Sequence, residues 1–83
     1  MKFYTYILWS EVLQRYYVGS TNDLEDRLHR HNTAQGKYTA KENPWILIWS
    51  CDFGERKEAF NLEHKIKKRG IKRFLEDSNI FGK

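Results

Sequence analysis

Residues 3–31 have the sequence FYTYILWSEVLQRYYVGSTNDLEDRLHRH, and this stretch decides the fold. Its first part, residues 3–9, is rich in aromatic and β-branched side chains and predicts a strand. Residues 11–14 predict a turn, and residues 15–20 predict a second strand that pairs with the first as an antiparallel hairpin. Gly19 near the end of the second strand lets backbone or a ligand approach closely, because it has no Cβ.

The end of this stretch predicts a helix over residues 23–33, with Asn22 as its N-cap and Glu25 in capping-box spacing. At about 100° per residue, Arg27 and His31 share the arc of the helix leucines, which turns both toward the sheet. An arginine is almost never buried without a partner. Arg27 therefore either belongs to a site or extends its head into solvent over the core. His31 taken alone also fits a hydrogen-bonded core histidine.

The rest of the chain predicts a loop, a strand and two helices. Residues 34–43 are polar and predict a loop. Residues 45–51 are apolar on both faces, which predicts a central strand. Residues 55–69 predict a helix that stops at Gly70, and residues 71–77 predict a short third helix. The order ββαβαα indicates a small α/β (α+β) fold in which helices pack against a sheet.

Size and composition exclude several classes of protein. The chain has 83 residues, which predicts one domain over residues 1–83 with one modest core. Charged residues make up 31% and no apolar run approaches the roughly 18 residues of a membrane span, so a membrane protein is excluded. The first residues show no secretory signal, and the single Cys51 cannot form an internal disulfide. We therefore expect a cytoplasmic protein.

The charge distribution favours an anionic partner. The net charge is +4 and the pI is about 9.3. Six cations crowd near the end of the chain: Lys65, Lys67, Lys68, Arg69, Lys72 and Arg73. They form either a solvated helix face or a surface that contacts the backbone of a nucleic acid.

Five side chains from four predicted elements point to chemistry. On the second helix, Glu63 flanks the apolar stripe, where a carboxylate needs a cation, a hydrogen-bond donor or a metal. It could pair with Arg27 or bind a hard divalent cation. Tyr6 and Tyr17 could be core rings with wet hydroxyls. Convergence of these residues with His31 instead favours a site that cuts a phosphodiester.

These residues give the chain a resemblance to the GIY-YIG nuclease superfamily, and within it to the small stand-alone UPF0213 (YhbQ-like) proteins. The matching motifs are Tyr4-Thr5-Tyr6, Tyr17-Val18-Gly19, Asp23-Leu24 with Arg27 and His31, Lys37-Tyr38-Thr39, and Ala59 through Glu63 to Ile66-Lys67. The resemblance implies a three-stranded antiparallel sheet flanked by helices. It also implies hydrolysis of DNA with one divalent metal, Mg²⁺ or Mn²⁺.

The resemblance implies a role for each site residue. Glu63 would hold the metal, and Arg27 would stabilise charge on the phosphoryl oxygens. Tyr17 would be the leading candidate to take a proton from the attacking water, with His31 as its rival or helper, and Tyr6 would orient water or phosphate. The cations of the last two helices, together with Lys37 and Tyr38, would bind DNA.

Three functions are compatible with the sequence. The first is a metal-dependent DNA endonuclease that serves repair or recombination, and which is weak or non-specific unless a partner protein selects its target. The second is a non-catalytic nucleic-acid-binding module on the same fold. The third is a protein-interaction domain that retains only the fold.

Overall fold

The fold is given by a computed structural model that describes residues 1–32 and 44–78. Its elements are β1 (Phe3–Ser10), β2 (Arg15–Thr21), α1 (Leu24–His31), β3 (Trp45–Phe53), α2 (Arg56–Arg69) and α3 (Ile71–Asp77). β1 pairs with both β2 and β3 in antiparallel orientation. The predicted order ββαβαα and the antiparallel α+β sheet are therefore confirmed. The predicted loop over residues 34–43 lies outside the described residues, and one domain over residues 1–83 stays a prediction.

The strand order is β2-β1-β3, so the prediction that the third strand is central is wrong. β1 is the central strand, and every residue from 5 to 8 on it is buried. β3 pairs only with β1, and it leaves Ile46 50% and Leu47 37% exposed. The apolar run over residues 45–51 reflects a general preference for pleated structure, which does not encode a position within the sheet.

The sheet separates two apolar clusters. On the side of α2 and α3, the buried cluster consists of Ile7, Val18, Ile66 and Leu75. On the side of α1, it consists of Tyr6, Leu8 and Trp45, with Tyr17, Leu24 and Leu28 packed against it. Burying each of the large aliphatic side chains contributes about 1.5–3 kcal/mol. Alternation along β1 thus places Tyr6 on the α1 side and its neighbours in sequence on the α2 side.

The helices lie where they were predicted, but α1 ends at His31, before the predicted end at residue 33, and α2 begins at Arg56, one residue later than predicted. The start of α1 also differs. The N-cap there is Asp23, not Asn22, because its carboxylate accepts a hydrogen bond from the backbone N–H of Asp26 at 3.1 Å. The Thr21 hydroxyl accepts from the Asp23 N–H at 3.1 Å and so fixes the chain just before the helix. Glu25 therefore does not complete a capping box. No helix in residues 1–32 and 44–78 has the length and hydrophobicity needed to cross a membrane.

The junction of α2 and α3 depends on a glycine. Gly70 caps α2 with a φ of 102°, a conformation that side chains with a Cβ rarely adopt. Its N–H donates to the Ile66 carbonyl at 2.8 Å. The predicted stop at Gly70 is confirmed, and α3 begins at the next residue.

Candidate active site

Four rings from four elements form an aromatic cluster on the α1 side of the sheet. The Tyr6 hydroxyl lies 3.2 Å from His31 Nε2, within hydrogen-bond distance. The ring of Tyr17 contacts the ring of His31 edge-on, with centroids 4.7 Å apart. Trp45 completes the cluster, 6.0 Å from Tyr17 and 6.1 Å from His31. Tyr6, Tyr17 and His31, predicted from separate motifs, thus lie together.

Gly19 makes this cluster possible. It is directly opposite Tyr6 in the β1–β2 pairing. A Cβ at this position would lie 2.6 Å from the Tyr6 hydroxyl, 2.9 Å from Tyr6 Cζ and 3.2 Å from Tyr17 Cε1. The predicted close approach at Gly19 is therefore made by the two tyrosine side chains of the site, and not by backbone.

Burial and the Arg27 guanidinium set the protonation of the cluster. Burial and the neighbouring Tyr17 raise the pKa of Tyr6 well above its ordinary value, and Arg27 opposes this shift. Burial, and then Arg27, lower the pKa of His31 below 6.5. At neutral pH Tyr6 is therefore a phenol and His31 a neutral imidazole. Arg27 lies close enough to act on both groups, as its predicted position on α1 requires.

The Glu63 carboxylate lies on the other side of edge strand β2 and is held by two neighbours. Ser20 donates a hydrogen bond to Glu63 Oε1 at 2.8 Å, and Lys67 Nζ lies 2.9 Å from Oε2. The Glu63 side chain is only 13% exposed. Within the described part of the chain its ion pair is with Lys67, so the alternative of an Arg27–Glu63 pair is excluded.

Electrostatic influence connects the carboxylate to the aromatic cluster. Glu63 contributes to the raised pKa of Tyr6. The hydrogen bond with Glu63 raises the pKa of Lys67, and Tyr17 adds to that shift. Within residues 1–32 and 44–78, no hydrogen bond or ring contact joins Glu63 to the tyrosines. A group bound between them would have to bridge Glu63 on one side of β2 and the phenols on the other.

The donor set at Glu63 fits a hydrated divalent cation better than a protein-enclosed one. Within residues 1–32 and 44–78, no group of three or more His, Cys, Asp or Glu side chains is placed to hold a metal. Mg²⁺ keeps several waters and is typically held by one or two carboxylates plus substrate phosphates. Glu63 can supply the carboxylate if Lys67, whose side chain is 54% exposed, moves aside.

The predicted DNA-binding cations fall into two groups. Lys67 pairs with Glu63, and Arg69 Nε donates to Asp77 at 2.7 Å. The remaining four have exposed side chains on α2 and α3: Lys65, Lys68, Lys72 and Arg73. Lys37 and Tyr38 lie outside the described residues.

The sequence analysis did not predict that Ser20 and Trp45 belong to this region. Ser20 follows Gly19 and pairs with Thr5, so its side chain lies on the face of the sheet that α2 covers. Strand alternation could have placed it there. The contact of Trp45 with His31 depends on the β1–β3 register, which the sequence does not specify.

The class of the protein follows from a match between residues 2–74 and the GIY-YIG catalytic domain, and the chain belongs to the GIY-YIG family. This family has a nuclease fold, acts on DNA and generally depends on a divalent metal. The predicted resemblance to the superfamily is thereby confirmed.

The relatives narrow the assignment to UPF0213 proteins. One from Limosilactobacillus reuteri is 35% identical over 85 residues, covering 95% of this chain and 88% of that protein. Another from Pediococcus acidilactici is 38% identical over 77 residues, covering 89% of this chain and 78% of that protein. The solution NMR structure of a UPF0213 protein from Bacillus halodurans aligns with a TM-score of 0.60 at 27% identity, covering 96% of this chain and 85% of that one.

Proposed function

We propose that this protein is a divalent-metal-dependent DNA endonuclease that acts in the cytoplasm, in repair or recombination. The observation that carries the proposal is the contact of Tyr6, Tyr17 and His31 beside Arg27, at a strand whose other face presents Glu63. A core histidine with two core tyrosines would need neither the arginine nor the carboxylate. Without a partner that selects a target, cleavage is weak and non-specific.

Tyr17 takes the proton from the attacking water. Tyr6 is unsuited, because its raised pKa keeps it protonated, and it orients water or phosphate instead. His31 is 6% exposed and its Nε2 is directed to Tyr6, so it assists by remaining neutral beside Tyr17. Lys67, whose pKa Tyr17 helps to raise, brings a positive charge close to that phenol.

Arg27 stabilises the charge that develops on the phosphoryl oxygens, a task suited to its planar, permanently charged fork. Glu63 would hold Mg²⁺ or Mn²⁺, and the bound cation would supply Lewis-acid stabilisation of the charge on the leaving oxygen. Ser20 keeps the carboxylate oriented by donating to Oε1.

The proposal is tested by incubating purified protein with plasmid and branched DNA in the presence of Mg²⁺ or Mn²⁺. Glu63→Gln and Arg27→Gln are expected to lower the nicking rate by about 100-fold or more. Glu58→Gln and Arg30→Gln, which change exposed groups on the same helices, are the controls. Cleavage that persists in EDTA, or that falls equally in the control variants, contradicts the mechanism.

The base is tested by comparing Tyr17→Phe with His31→Gln, with Tyr16→Phe as the control. Tyr17→Phe should abolish cleavage at every pH, whereas His31→Gln should leave a measurable rate. A Tyr17→Phe variant that cuts DNA at the wild-type rate shows that the phenol is not the base.

A second candidate, a non-catalytic nucleic-acid-binding module, is favoured by the four exposed cations of α2 and α3. It predicts binding that weakens steeply with salt and no metal-dependent product on duplex, branched or single-stranded substrates.

A further inference from the structure

A cleft of about 100 Å³ opens beside the candidate active site, and residues from the end of β2 and from the first turns of α1 and α2 line it. Its polar lining consists of Ser20, Thr21, Asn22, Arg27 and Arg56. Ser20 and Arg27 also belong to the active site. The cleft is therefore continuous with that site rather than separate from it.

Two guanidinium groups dominate the electrostatics of this cleft. Within residues 1–32 and 44–78, no acidic residue lines the cleft, and neither Arg27 nor Arg56 forms an ion pair. Two like charges directed at one small cavity are unfavourable unless an anion offsets them. The Asn22 side chain adds a further donor, and in the described part of the chain it donates to the Met1 sulfur at 3.7 Å.

Arg56 is held in place by an aromatic ring and not by a carboxylate. Its Cζ lies 5.3 Å from the centroid of Phe3. Stacking of this kind fixes the plane of a guanidinium while leaving its N–H groups free to donate. Arg56 is thus oriented in advance for a bidentate contact with an oxyanion.

We propose that this cleft binds a backbone phosphate of the nucleic acid strand next to the phosphate that is cleaved, with Arg56 as its positioning residue. The inference rests on the proposed function for the identity of the ligand. The volume of about 100 Å³ accommodates one tetrahedral anion together with bound water. Ser20 and Arg27 join the two sites, so a strand that fills the cleft places its next phosphodiester at the tyrosines.

The test follows the Nε–Hε signals of Arg27 and Arg56 by NMR while a short DNA duplex is added in EDTA, so that no cleavage occurs. Both signals should shift along one binding curve. Arg56→Gln should remove one phosphate contact. When the salt is raised from about 50 to 200 mM, the affinity of this variant for DNA, measured by fluorescence anisotropy, should therefore fall about threefold less than that of wild type. Arg56→Lys should retain the salt dependence, and Lys57→Gln, an adjacent exposed cation outside the cleft, should behave as wild type.

The inference is overturned if the Arg56 signal does not move while DNA binds, or if Arg56→Gln and Lys57→Gln change affinity equally. It is also overturned if inorganic phosphate shifts both signals at the concentrations at which DNA does, since the cleft would then bind a free anion. Absence of cleavage in Mg²⁺ with the Arg56 shifts intact would refute only the proposed nuclease. Cleavage by wild type with an unperturbed Arg56 would refute only this phosphate site.

Discussion

Gly19 is the residue at which adding one carbon atom should disturb the site most directly. The added Cβ of Gly19→Ala would lie 2.6 Å from the Tyr6 hydroxyl, so Tyr6 must move away from His31 or the strands must separate. Because β1 is the central strand, we expect a loss of about 1–3 kcal/mol in the free energy of unfolding, measured by urea denaturation.

Gly54→Ala is the matched control for this substitution. Nothing lies within 4 Å of a Cβ built at Gly54, so its free energy of unfolding should change by no more than about 0.5 kcal/mol. Equal stability of the two variants would show that Tyr6 does not occupy the space opposite Gly19.

His31 should make the stability of the protein depend on pH. Burial and Arg27 lower its pKa in the folded state, so the unfolded chain binds its proton more tightly. The contribution of neutral His31 to the free energy of unfolding is complete above pH 6.5. It is lost as the pH falls toward the lower pKa that His31 has in the folded state. The free energy of unfolding should therefore decrease between about pH 7.5 and pH 5, and His31→Gln should remove part of that decrease.

The exposed histidine on the same helix provides the control for His31. His29→Gln should retain the wild-type difference between the two pH values. If His31→Gln also retains it, the imidazole titrates alike in the folded and unfolded chain, and it is not buried beside Arg27 in solution.

The projection of the first helix placed Arg27 and His31 on the sheet side, because helical periodicity fixes the directions of side chains along a helix. The partner of Glu63 could not be predicted from the sequence. Lys67 lies one turn further along the same helix, but distant cations such as Arg27 could also pair with this carboxylate, and the choice depends on the tertiary structure.

At the scale of elements, the start of α1 illustrates how two adjacent capping residues compete. Asn22 and Asp23 both suit an N-cap, and Thr21 decides between them by binding the Asp23 N–H. We expect Asp23→Ala to lower the free energy of unfolding by about 1 kcal/mol, because the Asp26 N–H loses its acceptor.

Asn22→Ala is the control for the cap, since in the described part of the chain the Asn22 amide donates to a thioether and not to the helix. The free energy of unfolding of this variant should match that of wild type within about 0.5 kcal/mol. Thermal unfolding followed by circular dichroism measures both variants. A larger effect at Asn22 than at Asp23 would restore the capping box predicted from the sequence.

The order of strands was the element-scale feature that sequence patterns could not supply. Local patterns gave the type of every helix and strand and each bound to within two residues, because strand and helix periodicities are local properties. Whether β1 or β3 lies in the middle depends on pairing between distant segments. The exposed Ile46 and Leu47 show that an apolar run can form an edge strand.

At the scale of the whole molecule, the two proposals place nucleic acid on different surfaces. The cleft between Arg27 and Arg56 lies at the start of α2, and the exposed cations lie at its other end and on α3. Over 14 residues a helix extends about 20 Å, so one bound strand must be several nucleotides long to contact both. The contribution of each surface to binding can therefore be measured separately.

The distant surface is tested by the double variant Lys68→Gln with Lys72→Gln. If both cations contact phosphates, the slope of log affinity against log salt should decrease by about 1.8, measured by fluorescence anisotropy with duplex DNA in EDTA. The control is Lys2→Gln with Lys57→Gln, which removes the same charge elsewhere. Equal slopes in the two double variants would mean that the net charge of +4 attracts DNA without a defined surface on α2 and α3. A reduced slope with unchanged nicking by saturating protein would separate this binding surface from the chemistry at Tyr17 and Glu63.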